Sequence, residues 1–418
     1  MKLILRGFAL GQEMVLEGLG APTVFKDESK LDLSYVPPRL PHREAQYRLL
    51  TQVFRCMVES PGGSGPRAII TGGIGTGKTA LAQRFGSDLE TVARNQRGVN
   101  LRYVHVNCHG LRGSFFLILT EVIAQFIPSF PRRGFGSEEL LRILMKVLDD
   151  ENAYVILALD EAEALIHSEG SGFLYNLTRV HEARAGKPQR LGLVCVIRKP
   201  ESLAQLDPAT LSTLQKNFIR LPEYRGEELI DILTYRASLA LRPEAILSET
   251  ITFIADICAP RGDARYAIEL LLRSGKCADN EGIKSILPEH VRKAEQSLEY
   301  PSMIYDYIKS MNFHEKLLLL AVARKLREQP EQAYVTIGEA EEIYAVLCEA
   351  YGETPRGHTQ LWKYVSNLAS TGLASASLSG QGQRGKTTNI GIPVPAAYLE
   401  KALTDILENE GGEGREIP

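Results

Sequence analysis

Eight consecutive residues carry the sharpest chemistry in the chain: Gly72-Gly73-Ile74-Gly75-Thr76-Gly77-Lys78-Thr79. This spacing suits a loop that wraps phosphate, because glycines let main-chain amides turn towards oxygen atoms. An apolar strand pattern precedes it and a helix pattern follows, so a phosphate there would also meet the positive end of a helix. Lys78 is placed to reach the β- and γ-phosphates of ATP or ADP, and Thr79 to ligate Mg²⁺. Further on, the apolar run Val155-Ile156-Leu157-Ala158-Leu159 ends in Asp160-Glu161. Asp160 is placed to hold Mg²⁺ through water, and Glu161 to polarise an attacking water. Acids at the carboxyl end of a buried strand lie where open α/β sheets bind ligands.

The elements that must position these groups follow from periodicity. Short apolar strands are expected at 68–71, 101–106, 154–159, 191–197 and 218–221, with helices at about 78–93, 114–127, 137–149, 172–185 and 208–214. Near-continuous apolar strands suit a parallel sheet buried on both faces, and their alternation with helices predicts an α/β layered domain. After Pro222 the strands stop, and 225–298 reads as several helices broken near Arg242-Pro243, Pro260-Arg261-Gly262 and Glu281-Gly282.

A second chemistry lies in the last third. An amphipathic helix is expected over 313–327, facing inward through Leu317, Leu318, Leu320, Ala321 and Leu326. Thr336 and Glu339 have capping-box spacing for a second helix, and a third is expected over 359–371. A hairpin over 373–394 follows, tipped by glycines at 380–385. Three helices and a glycine-tipped hairpin make a winged helix. From Thr354 to Ile392 there are four cations, Arg356, Lys363, Arg384 and Lys386, and no acid. The third helix would offer a major groove Arg356, His358, Thr359, Gln360, Lys363 and Asn367, with Arg384 and Lys386 on phosphate or in the minor groove. A protein-binding winged helix is the bland alternative. Trp362, among Leu361, Val365 and Leu368, reads as core, and the His105, Cys108, His109 cluster as a polar strand end.

Composition bounds these readings. The 418 residues carry 48 Lys+Arg against 51 Asp+Glu, a net charge of −3, which excludes coating of nucleic acid by bulk positive charge. With 44% hydrophobic residues the chain is no disordered scaffold. Six cysteines without a CxxC pair read as buried thiols of an intracellular protein. No window approaches the roughly 18 apolar residues of a membrane span. A soluble, cytoplasmic, nucleoid-associated protein with no membrane partner is expected.

Adjacent acids at a strand end, followed by a helical zone, mark the AAA+ class of ATPases. In that class Arg265, in Gly262-Asp263-Ala264-Arg265, would meet the γ-phosphate. Tyr35-Val36-Pro37-Pro38-Arg39-Leu40-Pro41-His42-Arg43-Glu44, the phosphate loop, Leu159-Asp160-Glu161, Leu206-Asp207-Pro208, Pro222-Glu223-Tyr224, Ile232 to Ala237 and Gly262 to Arg265 occur in this order. Together they resemble the archaeal replication initiators of the origin recognition complex and cell-division-cycle type, over roughly 25–395. The resemblance implies an α/β AAA+ base with its N-terminal arm (1–222), an all-α lid (223–299), a winged helix (300–407) and a disordered tail (408–418). It implies an adenine pocket from Val36, Pro37, Leu40 and Arg43, joined by Tyr224 and Arg236. It also implies an extra helix near 127–137 probing the minor groove, with Phe130, Arg132, Arg133 and Phe135 at the contact. Implied partners are double-stranded origin DNA, a replicative helicase and a second initiator paralogue. Two departures stand out: Arg198 occupies the place of the family's sensor asparagine, and Ala209 that of its arginine finger, for which Lys216 or Arg220 could substitute. They predict weak, switch-like ATP hydrolysis. A transposition or plasmid-maintenance helper ATPase, or a signalling NTPase with a scaffolding winged helix, is the alternative.

Overall fold

The computed structural model describes residues 22–131, 133–180, 182–184, 186–214, 217–298, 307–378 and 387–412. They divide into two compact units: 36–228 with 261–265, and the described part of 1–35 with 229–260 and 266–418.

The first unit is built on five parallel strands, β1 (Arg67–Gly72), β2 (Leu101–Asn107), β3 (Tyr154–Asp160), β4 (Leu191–Ile197) and β5 (Phe218–Leu221), in the order β2-β3-β4-β1-β5. Every residue of β3 and β4 is buried. Strand alternation divides them between two cores. Val155, Leu157 and Leu159 face one side, with α3 (Phe115–Ala124) and α4 (Ser137–Asp150); Ile156 and Ala158 face the other, with α1 (Glu44–Phe54) and α2 (Lys78–Arg97). The unexpected helix α5 (Glu163–Glu169) follows β3, and α6 (Gly172–Arg179) ends earlier than its pattern suggested; α7 (Pro208–Leu214) precedes β5.

The second unit contains most of α8 (Gly226–Ala240), α9 (Ser248–Cys258), most of α10 (Ala264–Asn280) and α11 (Pro288–Leu298), and the winged helix. Residues 22–35 pack here and not on the sheet, which differs from the expected grouping of the arm with 36–222. Phe25 forms a bridge with Leu241, Thr23 Oγ1 donates to Asp279 (2.5 Å), and the Phe25 ring fills the space beside Gly275, where a Cβ would lie 2.4 Å from Cζ.

The winged helix comprises α12 (Phe313–Glu328), α13 (Ile337–Ala350), α14 (His358–Ser370) and α15 (Ala396–Gly412), with β6 (Val335–Thr336), β7 (Ser375–Leu378) and β8 (Thr388–Gly391) in the antiparallel order β6-β8-β7. The capping box forms as its spacing predicts: Glu339 N donates to Thr336 Oγ1 (3.3 Å) and Thr336 N to Glu339 Oε2 (2.9 Å). The amphipathic reading of α12 needs correction. Leu317 to Ala323 are all fully buried, because α13 and α15 both pack along it. Helix α15 itself buries Leu399, Leu403, Ile406 and Leu407 and runs into the stretch 408–412, where a tail was expected; 413–418 lie outside the described residues.

Lid and winged helix share a buried polar seam. Arg292 of α11, fully buried, donates to Gln332 O (3.0 Å), Ala333 O (2.9 Å) and Ile392 O (3.3 Å), and to Glu289 Oε2 (3.1 Å). Beside it Tyr334 Oη donates to Asp256 Oδ2 (2.5 Å) and its ring meets Phe253 edge-on.

Candidate nucleotide-binding site

The phosphate loop joins β1 to α2, as its sequence position requires. Gly75 (φ 68°) and Gly77 (φ 85°) take left-handed backbone that residues with a Cβ rarely adopt. At Gly75 space forbids a side chain too: a Cβ would lie 1.7 Å from Asp263 Oδ1, and Ala264 N donates to Gly75 O (3.2 Å). Gly262 to Arg265 thus sits against the loop. Lys78 Nζ donates to Gly72 O (2.8 Å) and Gly73 O (2.6 Å). Burial lowers its pKa, the charges of Arg198 and Arg265 add to that, and Asp160 and Glu163 oppose it. Ile74 is exposed at the tip, and Thr76 Oγ1 donates to Gly73 O (3.0 Å).

The end of β3 meets the start of α2. Thr79 Oγ1 donates to Asp160 Oδ2 (2.8 Å), and Glu161 N donates to Asp160 Oδ1 (2.9 Å). His105 Nε2 stands 3.3 Å from Asp160 Oδ2, an electrostatic contact and not a formed hydrogen bond. Burial would raise the Asp160 carboxyl, but His105 and the Thr79 hydroxyl outweigh it and hold it below the usual carboxylate range. A hydroxyl and an ionised carboxylate side by side are the hard oxygen donors that suit Mg²⁺, so the residues present fit that ion. Cys108 is buried and burial pushes its thiol pKa up; all six cysteines are free, four of them buried.

Glu161 has φ 53°, unusual for a residue with a Cβ. Its Oε2 accepts from Asn107 Nδ2 (3.3 Å), and its Oε1 pairs with Arg198 Nη2. The Arg198 main-chain N–H donates to Glu163. The residue in the sensor position therefore holds the carboxylate of the candidate base.

The expected adenine residues divide. Pro37 is buried, Val36 and Leu40 are half-buried, and Leu40 packs on the sheet core. Arg43 is buried and donates to Thr76 O (3.0 Å), His42 O (3.0 Å) and Pro222 O (2.7 Å), with its guanidinium 3.7 Å over the buried Tyr224 ring. It straps the loop to the chain after β5. Arg236 belongs to the second unit, where it is buried and donates to Asp32 O (3.0 Å) and Tyr35 O (3.1 Å). Ala209 lies in the first turn of α7, where Asp207 Oδ1 accepts its N–H (3.0 Å). Arg220 is exposed on β5, level with Thr71; Lys216 lies outside the described residues.

On the winged helix, α14 buries Leu361, Tyr364, Val365 and Leu368, and exposes Thr359, Trp362, Lys363, Ser366 and Asn367. Trp362 is 55% exposed, so the core reading was wrong: one position past Leu361, it is turned about 100° off the inward stripe. Gln360 is half-buried. Arg356 is exposed, with its Nε donating to His314 Nε2 (3.1 Å), while His358 Nδ1 lies 2.9 Å from Glu341 Oε2. Asn367 Nδ2 donates to Glu315 (2.9 Å). Arg384 and Lys386 lie outside the described residues. The expected helix near 127–137 is absent among the described residues: the chain turns from Ile127 until α4 starts at Ser137. Phe130 and Phe135 stack on each other (5.3 Å between ring centres) and pack on the sheet core, Arg133 is exposed, and Arg132 lies outside the described residues. To act as wedges the two rings would first have to leave that packing.

Family models match in chain order: an AAA domain over residues 65–201, a Cdc6 AAA+ ATPase-type lid domain over 230–296, and a CDC6 C-terminal winged helix domain over 306–402. The ORC1-type DNA replication protein 2 of Sulfurisphaera tokodaii is 33% identical over 406 residues, covering 96% of each chain. The chain belongs to the archaeal ORC1/Cdc6 family. It is therefore an AAA+ ATPase-family protein of DNA replication. Its fold is similar to the crystal structure of Cdc6p from Pyrobaculum aerophilum (TM-score 0.82, 33% identity, 93% of this chain and 99% of that one). It also resembles the Aeropyrum pernix ORC1 protein solved in complex with DNA (TM-score 0.59, 26% identity, 91% and 97%). For an ORC1/Cdc6 chain the sequence reading missed Asn107, Glu163 and Asp263 as neighbours of the phosphate loop. Asn107 had a signal: it ends β2 level with Asp160, so the two face the same crevice.

Proposed function

We propose that this ORC1/Cdc6 protein is an ATP-dependent replication initiator that binds origin duplex DNA, helps load a replicative helicase and works in the cytoplasm at the nucleoid, with a second initiator paralogue. The observation that carries the reading is the junction of Thr79, Asp160 and Lys78 on one sheet edge, in a chain that also carries a winged helix. Lys78 and the loop amides would hold the β- and γ-phosphates of ATP or ADP, Arg265 would meet the γ-phosphate, and Thr79 and Asp160 would hold Mg²⁺. The metal would supply charge neutralisation at the phosphates. Glu161 would orient the attacking water once its carboxylate is released.

Ala209 and Arg198 in place of a finger arginine and a sensor asparagine support slow hydrolysis. Chromatography of the purified, denatured protein is expected to release near-stoichiometric nucleotide; sites that prove empty and fast-exchanging would overturn the slow switch.

For the DNA-reading face, footprinting on chromosomal DNA is expected to show protection of a discrete repeated element, and no protection would favour a scaffolding winged helix. Trp362 is the one tryptophan of the chain and exposed on α14, so its fluorescence should change on adding that duplex. Lys363→Ala should weaken binding across sequences and reduce the salt slope by about one. An unchanged slope would move the contact away from α14.

A further inference from the structure

Resting on the nucleotide-site reading above, we propose that Arg198 is a latch on Glu161 that the terminal phosphate of a nucleoside triphosphate opens. The latch is held at both ends. The Arg198 main-chain N–H is engaged by Glu163, just after β3, and its guanidinium by Glu161. Register explains why: β3 and β4 pair Leu159 with Cys195, and Ala162 N donates to Val196 O (3.1 Å), so the residues after the two strands emerge at one level. Glu161 is set in place by its left-handed backbone, with its N–H on Asp160 Oδ1 and its second carboxylate oxygen on Asn107. A carboxylate paired with a guanidinium is a poorer proton acceptor than a free one, so the latched state disfavours base chemistry.

The opening force is also in place. Arg198 lies near enough to Lys78 for its charge to act on that ammonium. An anion held by Lys78 is thus within the field of Arg198 and competes with Glu161 for it. A phosphate offers a guanidinium bidentate acceptors and more charge than a carboxylate. The competition is winnable because the ion pair is a weak one: the Arg198 side chain is 53% exposed and that of Glu161 29%. A diphosphate lacks the competing group. Arg198 thereby acts as a positioning residue that discriminates triphosphate from diphosphate by what it must let go.

The test is equilibrium binding of ADP and of the non-hydrolysable analogue ADPNP, with Mg²⁺, to the full chain. Glu161→Gln removes the competing charge, and the ADPNP-to-ADP affinity ratio should rise about threefold to fivefold, the scale of an exposed ion pair. Arg198→Ala should lower the ratio, and Arg198→Lys should restore part of it. In the double variant Arg198→Ala, Glu161→Gln the gain from Glu161→Gln should vanish, because no arginine is left to release. A ratio unmoved by Glu161→Gln, or a gain that survives without Arg198, would overturn the latch while leaving the nucleotide site intact. A wild-type chain that binds neither nucleotide would overturn both.

Discussion

Replacing Arg292 by alanine is expected to lower the unfolding midpoint of the unit holding the lid and winged helix by about 10 °C or more, with the sheet unit little affected. The side chain is fully buried and spends its donors on three main-chain carbonyls and Glu289, while its guanidinium lies 5.1 Å over the Phe253 ring. Alanine would leave those acceptors, one of them ionised, without their donor. Removing one partner of a buried charged pair costs about 3–5 kcal/mol, and about 1 kcal/mol moves the midpoint of a unit this size by roughly 2–4 °C. A well-packed apolar residue often replaces a buried ion pair at no loss when both ions go. Here it should not, because carbonyl acceptors remain after Glu289 is gone, so Arg292→Leu with Glu289→Gln should still be destabilised. Calorimetry resolves the two units as separate transitions. An unshifted transition in Arg292→Ala would mean that the apolar seam of Phe253 and Tyr334 alone holds lid to wing.

Arg292 illustrates what the sequence conceals. The sheet was legible because β3 and β4 are buried on both faces, and a continuous apolar run is the direct trace of that burial. The phosphate loop was legible because left-handed backbone at Gly75 and Gly77 admits little but glycine. The Thr336–Glu339 box is local, and so it too could be read. A long polar side chain that serves main-chain carbonyls has no such trace. Arg43 has a place in the family pattern, yet nothing in the sequence says that its guanidinium goes to Thr76 O and Pro222 O.

Other misreadings come from period and context. Leu399, Leu403 and Ile406 carry a helical signal that belongs to α15, but a hairpin had already completed the motif, so α12 was assigned one apolar face when it needed two. Trp362 was judged by its neighbours in sequence when its angle on the helix decides its exposure. The Phe130 and Phe135 rings have a nearer partner in each other than in any ligand. The latch between Arg198 and Glu161 required the register of β3 against β4, which single-chain periodicity does not supply.

Lys78→Ala should abolish nucleotide binding in practice while leaving the fold intact. The ammonium donates to Gly72 O and Gly73 O, so the loop loses two hydrogen bonds with the substitution. Its shape has other supports: Thr76 Oγ1 to Gly73 O, Arg43 Nε to Thr76 O, and Ala264 N to Gly75 O. The melting midpoint without ligand should therefore move by no more than a few degrees. The loss falls on phosphate. Contacts from one ammonium to two phosphates, each about 1.5–3 kcal/mol for a charged hydrogen bond, amount to a hundredfold or greater loss of affinity at about 1.4 kcal/mol per decade. Burial, which lowers the Lys78 pKa, sharpens the effect, because a phosphate restores to the ammonium the stabilisation that water cannot give it. The readout is ligand stabilisation. ADP at a hundred times its dissociation constant stabilises the wild-type chain by about 2.7 kcal/mol, and the same concentration should leave Lys78→Ala nearly unshifted. A variant that ADP still stabilises like the wild type would mean that the loop amides and the α2 N-terminus hold the phosphates without the lysine.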